Sequence, residues 1–251
     1  MSPRRARTAA VLAAAAALLG AGPTALDAQV ALPEAPPAVE TGEAEPRVPV
    51  LLVPGWSDGL AQLEPLRSRF LEAGWDSAAV ATLEFRDPVG SNREHAREIA
   101  IAAAELRAAT GAWRIDVVAH SMGGLALRYH LRRRDAPAGA VRRVVFLATP
   151  HFGTWSSLVA WGDGAREMYP GSDFLMTLMD GRPVPHGIEA LTVRTPLDLH
   201  ILPPESAAIP GVRDVEVCCP THAGLLDDDG VFAVVETFLT RPLAENAPPP
   251  A

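Results

Sequence analysis

A serine placed between a run of β-branched residues and a pair of glycines is the feature of this chain with the clearest chemical promise. Residues 115–124 read I-D-V-V-A-H-S-M-G-G. Ile115, Val117 and Val118 suit a short buried strand. Ser121 follows with no intervening loop, and Gly123 and Gly124 remove the bulk that a sharp strand-to-helix reversal would crowd. This is the pattern of a nucleophile elbow, in which the hydroxyl stands clear of the sheet and the next amide faces the same space. The position two before the serine, commonly glycine, is Ala119, the smallest replacement.

A hydroxyl attacks an acyl carbon only when a base takes its proton, so a histidine must lie within hydrogen-bond reach. Of the seven histidines, His222 fits best: it sits in C-C-P-T-H-A-G-L-L, between a strand pattern and the last helix pattern. His120 adjoins the serine, but strand alternation sends it to the opposite side. His95 and His130 fall in helix patterns, and His151, His186 and His200 in loops or at strand edges. The imidazole in turn needs a carboxylate to fix its tautomer and stabilise its charged form. Asp198, in T-P-L-D-L-H, is the acid directly after the fifth strand pattern; Glu205 and Asp214 are the alternatives. Asp227, Asp228 and Asp229 follow the histidine and read as the N-cap of the last helix. An oxyanion also needs preorganised amides. Gly55, in V-P-G-W, lets the backbone approach closely, so the Trp56 amide can join that of Met122; the alternative is a plain strand–helix turn with Trp56 as hydrophobic cover.

These residues require a scaffold that brings strand ends together. Strand and helix patterns alternate, which predicts a mostly parallel sheet of about six strands with helices on both faces. Strands are expected at 48–53, 77–85, 115–120, 143–148, 190–194 and 212–218, and helices at 60–73, 91–110, 122–134 and 230–239. Such sheets place their sites at the carboxyl ends of the strands. Residues 155–188, with Trp155, Leu158, Val159 and Trp161, fit no core element. They are expected either as a small cap or partial lid over an acyl-chain pocket, or as a helix packed on the sheet.

With V-P-G-W, A-H-S-M-G-G, A-T-P-H-F-G-T, T-P-L-D and T-H-A-G-L-L in that order, residues 47–239 resemble the small bacterial triacylglycerol lipases of the α/β-hydrolase superfamily. The resemblance implies the α/β-hydrolase fold, Ser121 as nucleophile, Asp198 as acid, His222 as base, and Trp56 and Met122 as oxyanion-hole amides. It implies a lipid or other ester as substrate and a reaction that needs no cofactor, while calcium binding stays open. Where many members carry His-Gly, this chain has Pro54-Gly55, so support for that loop must come from elsewhere.

Composition narrows the remaining classes. A net charge of −8 argues against nucleic acid as a standing partner. Residues 1–28, with Arg4, Arg5 and Arg7 before an Ala- and Leu-rich run, read as an export signal, too short to span a bilayer. The expected product is secreted or periplasmic, with no transmembrane segment in the mature chain and at most transient contact with a lipid interface. Residues 29–46, rich in proline and glutamate, read as a flexible linker, 47–240 as the folded domain, and 241–251 as a tail. The adjacent Cys218 and Cys219 are expected as small buried residues rather than as a disulfide framework. The leading reading is a serine carboxylic-ester hydrolase. The same triad could pass the acyl group to another acceptor or cleave a thioester or amide, and a silent hydrolase-fold binding module is the non-enzymatic alternative.

Overall fold

The computed structural model describes residues 47–133 and 139–242. The expected export signal and linker, nearly all of the tail, and the expected end of the third helix at residue 134 lie outside the described residues. In chain order the elements are β1 (Val50–Val53), α1 (Leu60–Glu72), β2 (Val80–Thr82), α2 (Asn92–Thr110), β3 (Ile115–His120) and α3 (Met122–Arg132). They continue with β4 (Val141–Leu147), α4 (Gly162–Glu167), α5 (Asp173–Met179), β5 (Glu189–Arg194), β6 (Arg213–Glu216) and α6 (Asp229–Thr240).

The strands form one sheet in the order β2-β1-β3-β4-β5-β6. Every pair is parallel, so the expected mostly parallel sheet is wholly parallel among the described residues. Parallel strands are buried on both faces and carry near-continuous apolar runs. Val50, Leu52, Val118, Val145 and Leu147 meet Leu63, Leu66 and Phe70 of α1 and Val231, Val235 and Phe238 of α6. The alternating residues Leu51, Val53, Val117 and Phe146 meet Ile99 and Leu106 of α2 and Leu127 of α3. Helix ends follow local chemistry. Ser91 Oγ accepts from the Arg93 amide at the start of α2, Gly111 ends that helix at φ 69°, and Asp228 caps α6 through the Val231 amide. The strand expected over 77–85 is shorter, because Asp76 caps a 3₁₀ turn over Ser77–Ala79 and only Val80–Thr82 joins the ladder.

The order of the strands locates the site. The crossover through α1 puts β2 on one side of β1, whereas β3 returns to the other side. Between the carboxyl ends of β1 and β3 the connections therefore leave in opposite directions and open a crevice.

The segment after β4 divides in two. Met168, Phe174, Leu175 and Leu178 bury against Met122 and Leu125 of α3, a helix packing of the ordinary kind. The preceding 3₁₀ helix Trp155–Val159 and Trp161 instead keep Leu158, Val159 and Trp161 largely exposed. Polar contacts tie the α4–α5 part to the body. Glu167 accepts from Ser91 Oγ at 2.7 Å and from the Asn92 amide at 2.6 Å, closing the open N-terminus of α2. Arg128 and Arg132 of α3 both donate to the Leu178 carbonyl near the end of α5, at 3.0 and 2.6 Å. The cysteines differ from expectation: both are exposed and joined to each other, because they lie past the end of edge strand β6 rather than inside a core element.

Candidate active site

Ser121 occupies a one-residue turn between β3 and α3, at φ 51° and ψ −129°. A non-glycine residue there is strained by about 1–3 kcal/mol and persists only where the surroundings dictate it. Those surroundings are visible. The Ser121 amide is held by the Leu147 carbonyl at 2.8 Å. A side chain at Gly123 would overlap the Pro54 carbonyl, and one at Gly124 would overlap Thr149. The two glycines thus let α3 start directly against the ends of β1 and β4. Ala119 is fully buried in the α2/α3 face, so a methyl group is accommodated where glycine is common.

The imidazole of His222, in the loop after β6, reaches this serine from across the sheet. Ser121 Oγ and His222 Nε2 lie 3.0 Å apart, and His222 Nδ1 is 2.7 Å from Asp198 Oδ2. An ionised carboxylate can only accept, so Nδ1 carries the proton and Nε2 is left to accept from the hydroxyl. The second carboxylate oxygen of Asp198 accepts from the amides of His200 and Ile201, each at 2.8 Å, which fixes the acid just beyond β5. Of the acids considered, Asp198 alone bonds His222: Asp214 pairs with Thr192 and Arg194 on the sheet, and Glu205 belongs to a separate 3₁₀ turn, Pro204–Ala207. Burial pushes the His222 pKa below its ordinary value, against the opposing bond to Asp198. Burial works to raise Asp198, but the hydrogen bond and charge of His222, with the two amides, carry it below its ordinary value.

Met122 follows the serine in sequence, and the loop that carries Trp56 approaches it in space. Met122 is the first residue of α3, so its amide lies outside the intrahelical ladder. The loop carrying Trp56 packs on the elbow: a side chain at Gly55 would come within 2.9 Å of Ser121 Cβ. Trp56 also ties the loop to the cap, its Nε1 donating to the Trp161 carbonyl at 3.0 Å while the two rings meet edge to face at 4.6 Å. Around these groups lies a cavity of about 460 Å³, a size typical of small-molecule sites. Its lining includes the exposed apolar side chains of Val159, Trp161 and Leu199.

Three neighbours of Ser121, His222 and Asp198 are not apparent from the sequence. His120 does lie on the α1/α6 face, as alternation requires, but the loop of His222 enters over that face and the two rings come within 4.7 Å. The His200 ring stacks on that of His222 at 4.8 Å. Asp58 supplies the loop support that Pro54 cannot, accepting from the Gly55 amide at 3.0 Å. Only Asp58 left a local signal, an acid three residues past a glycine in a tight turn. Among the described residues, Asp198, His200 and His222 also form a group compact enough to approach one cation, although the carboxylate is already engaged by three donors.

Collected in this way, the groups can deprotonate a hydroxyl, hold the resulting positive imidazole beside a buried carboxylate, and offer amides to a developing oxyanion. No protein-family model matches the chain. Solved structures do. Lipase B of Aspergillus fumigatus superposes with a TM-score of 0.68 at 19% identity, covering 78% of this chain and 53% of its own. This chain therefore spans about half the length of that protein. The mature form of Bacillus licheniformis lipase BlEst2 gives 0.68 at 16% identity over 79% of this chain and 94% of its own. Polyneuridine aldehyde esterase gives 0.52 at 13% identity, over 76% and 99%. The chain has the α/β-hydrolase fold and in its architecture resembles lipases and esterases.

Proposed function

We propose that this protein is a serine carboxylic-ester hydrolase that cleaves acylglycerols or related lipid esters through an acyl-enzyme on Ser121. The observation that carries the reading is the unbroken chain Ser121 Oγ–His222–Asp198, at 3.0 and 2.7 Å, at the switch point of a parallel sheet. In this scheme His222 takes the hydroxyl proton as Oγ bonds to the acyl carbon, and the Trp56 and Met122 amides hold the oxyanion. His222 then returns the proton to the departing alcohol. Water, deprotonated by the same imidazole, attacks the acyl-serine, releases the carboxylic acid and restores the hydroxyl. The lipase and esterase names of the solved structures and the exposed apolar residues of the cavity lining support an ester with an acyl chain. Export is part of the proposal and rests on residues 1–28, with lipid contact expected only through the exposed rim at Leu158, Val159 and Trp161. Among the described residues no helix is long and apolar enough to cross a membrane.

The test is a fluorophosphonate probe combined with p-nitrophenyl esters of graded chain length, with and without alcohol acceptors. Labelling of wild type and loss of both labelling and hydrolysis in Ser121→Ala are expected. A correctly folded wild type that takes no label would overturn the reading, and faster product formation with an alcohol than with water would redirect it to acyl transfer.

A further inference from the structure

Two buried side chains beside the triad have no part in the scheme above. Asp58, in the turn after β1, has a side chain only 13% exposed, and that of His120, the last residue of β3, is 2% exposed. Asp58 Oδ2 accepts from the Gly55 amide at 3.0 Å and lies 3.1 Å from His120 Nδ1. His120 turns its other nitrogen, Nε2, toward the carbonyl oxygen of His222 at 3.3 Å. One imidazole therefore spans the loop that carries the Trp56 amide and the loop that carries His222. The ring thus stands between the Asp58 carboxylate, an acceptor for its Nδ1, and the backbone of the His222 loop, so moving either loop moves the imidazole between them. The fit is tight enough to transmit displacement: at Gly55 a side chain would sit 2.6 Å from Asp58 Oδ2, 2.9 Å from Ser121 Cβ and 3.1 Å from His120 Nδ1.

We infer that Asp58 and His120 act as one positioning pair that sets the oxyanion loop and the His222 loop against the serine. The inference rests on the hydrolase reading and adds to it the residues that replace a histidine-bearing oxyanion loop. Neither side chain contacts the reacting hydroxyl; the pair acts through the Gly55–Trp56 backbone on one side and the His222 backbone on the other. A misplacement of about 1 Å at such a site costs on the order of 10²-fold in rate.

The experiment measures kcat and KM with a short p-nitrophenyl ester for wild type, Asp58→Asn, His120→Ala and the double variant, with thermal unfolding alongside. Each single variant is expected to lose about 10²-fold in kcat while KM stays within about threefold. The double variant should be no worse than the poorer single, since a pair that works as a unit is broken once. Asp58→Asn preserves side-chain volume and decides the matter if His120→Ala does not fold. Wild-type kcat in Asp58→Asn, a loss confined to KM, or losses that multiply in the double variant would overturn the pairing. Fluorophosphonate titration separates the two readings. A wild type that takes no label removes the hydrolase and the pair together, whereas a labelled wild type with fully active Asp58→Asn removes the pair alone.

Discussion

At the level of single residues, the proposed chemistry depends on a neutral imidazole whose donor side is committed. His222 is buried with a lowered pKa, so it stays unprotonated at neutral pH and can accept from Ser121. Protonation blocks that acceptance. The value of kcat/KM should therefore rise with pH along a limb centred below 6.5, the ordinary histidine value, and collapse as pH falls through that midpoint. A pH–rate profile centred above 6.5 would contradict the assignment. Asp198→Asn keeps the shape but removes the charge and can impose the wrong tautomer, so kcat should drop on the order of 10⁴-fold with labelling slowed in proportion. Gly123→Ala tests the elbow, because its methyl group would meet the Pro54 carbonyl. The expected destabilisation is about 1–3 kcal/mol, read from denaturant unfolding.

Secondary elements divide the labour between holding Ser121, His222 and Asp198 together and shaping the cavity beside them. Strands β1, β3, β5 and β6 each deliver one part of the site just past a carboxyl end, and their helices fix them from both faces of the sheet. The cap is tied down where Glu167 meets the N-terminus of α2. Glu167→Gln keeps one acceptor but loses the charge, and should cost about 1.5–3 kcal/mol by thermal or chemical unfolding. The exposed 3₁₀ stretch contributes differently, since Val159 and Trp161 line the cavity and Trp161 holds Trp56. Deleting residues 155–163 should change the ratio of short- to long-chain ester turnover. An unchanged ratio would exclude this stretch as a wall of the acyl pocket.

For the molecule as a whole, buried histidines couple stability to pH. His151 has no exposed surface, and burial, with the charge of Arg128 nearby, holds its pKa well below 6.5. His222 is shifted in the same direction. The unfolded chain therefore binds protons that the fold refuses. Stability should be full above about 6.5 and fall as pH drops from there toward the folded-state values. Asp198, lowered in the fold, adds a loss of the same sign further down, below its ordinary 3.8. Melting temperatures measured from pH 8 to about 4 should decline below pH about 6.5, and His151→Asn should flatten that decline. A flat profile in wild type would refute the coupling.

The candidate residues that the structure brings together sit where local sequence signals are strongest. Ser121 lies between an apolar run and paired glycines, His222 between the last strand pattern and the last helix, and Asp198 directly past the fifth strand. The element types were readable for the same reason, since burial on both faces imposes apolar runs that composition cannot hide. What sequence could not supply was which faces and loops share a space. His120 looked excluded by alternation, yet β6 and its loop close over that face and bring His222 to it. Asp58 became loop support only once its carboxylate lay between Gly55 and His120. The exposed cysteine pair and the two-part cap were likewise decided by position at a sheet edge and against α3. Short-range patterns thus determined which residue types and elements this chain has. The strand order, a global minimum over contacts far apart in the chain, decided which of them meet.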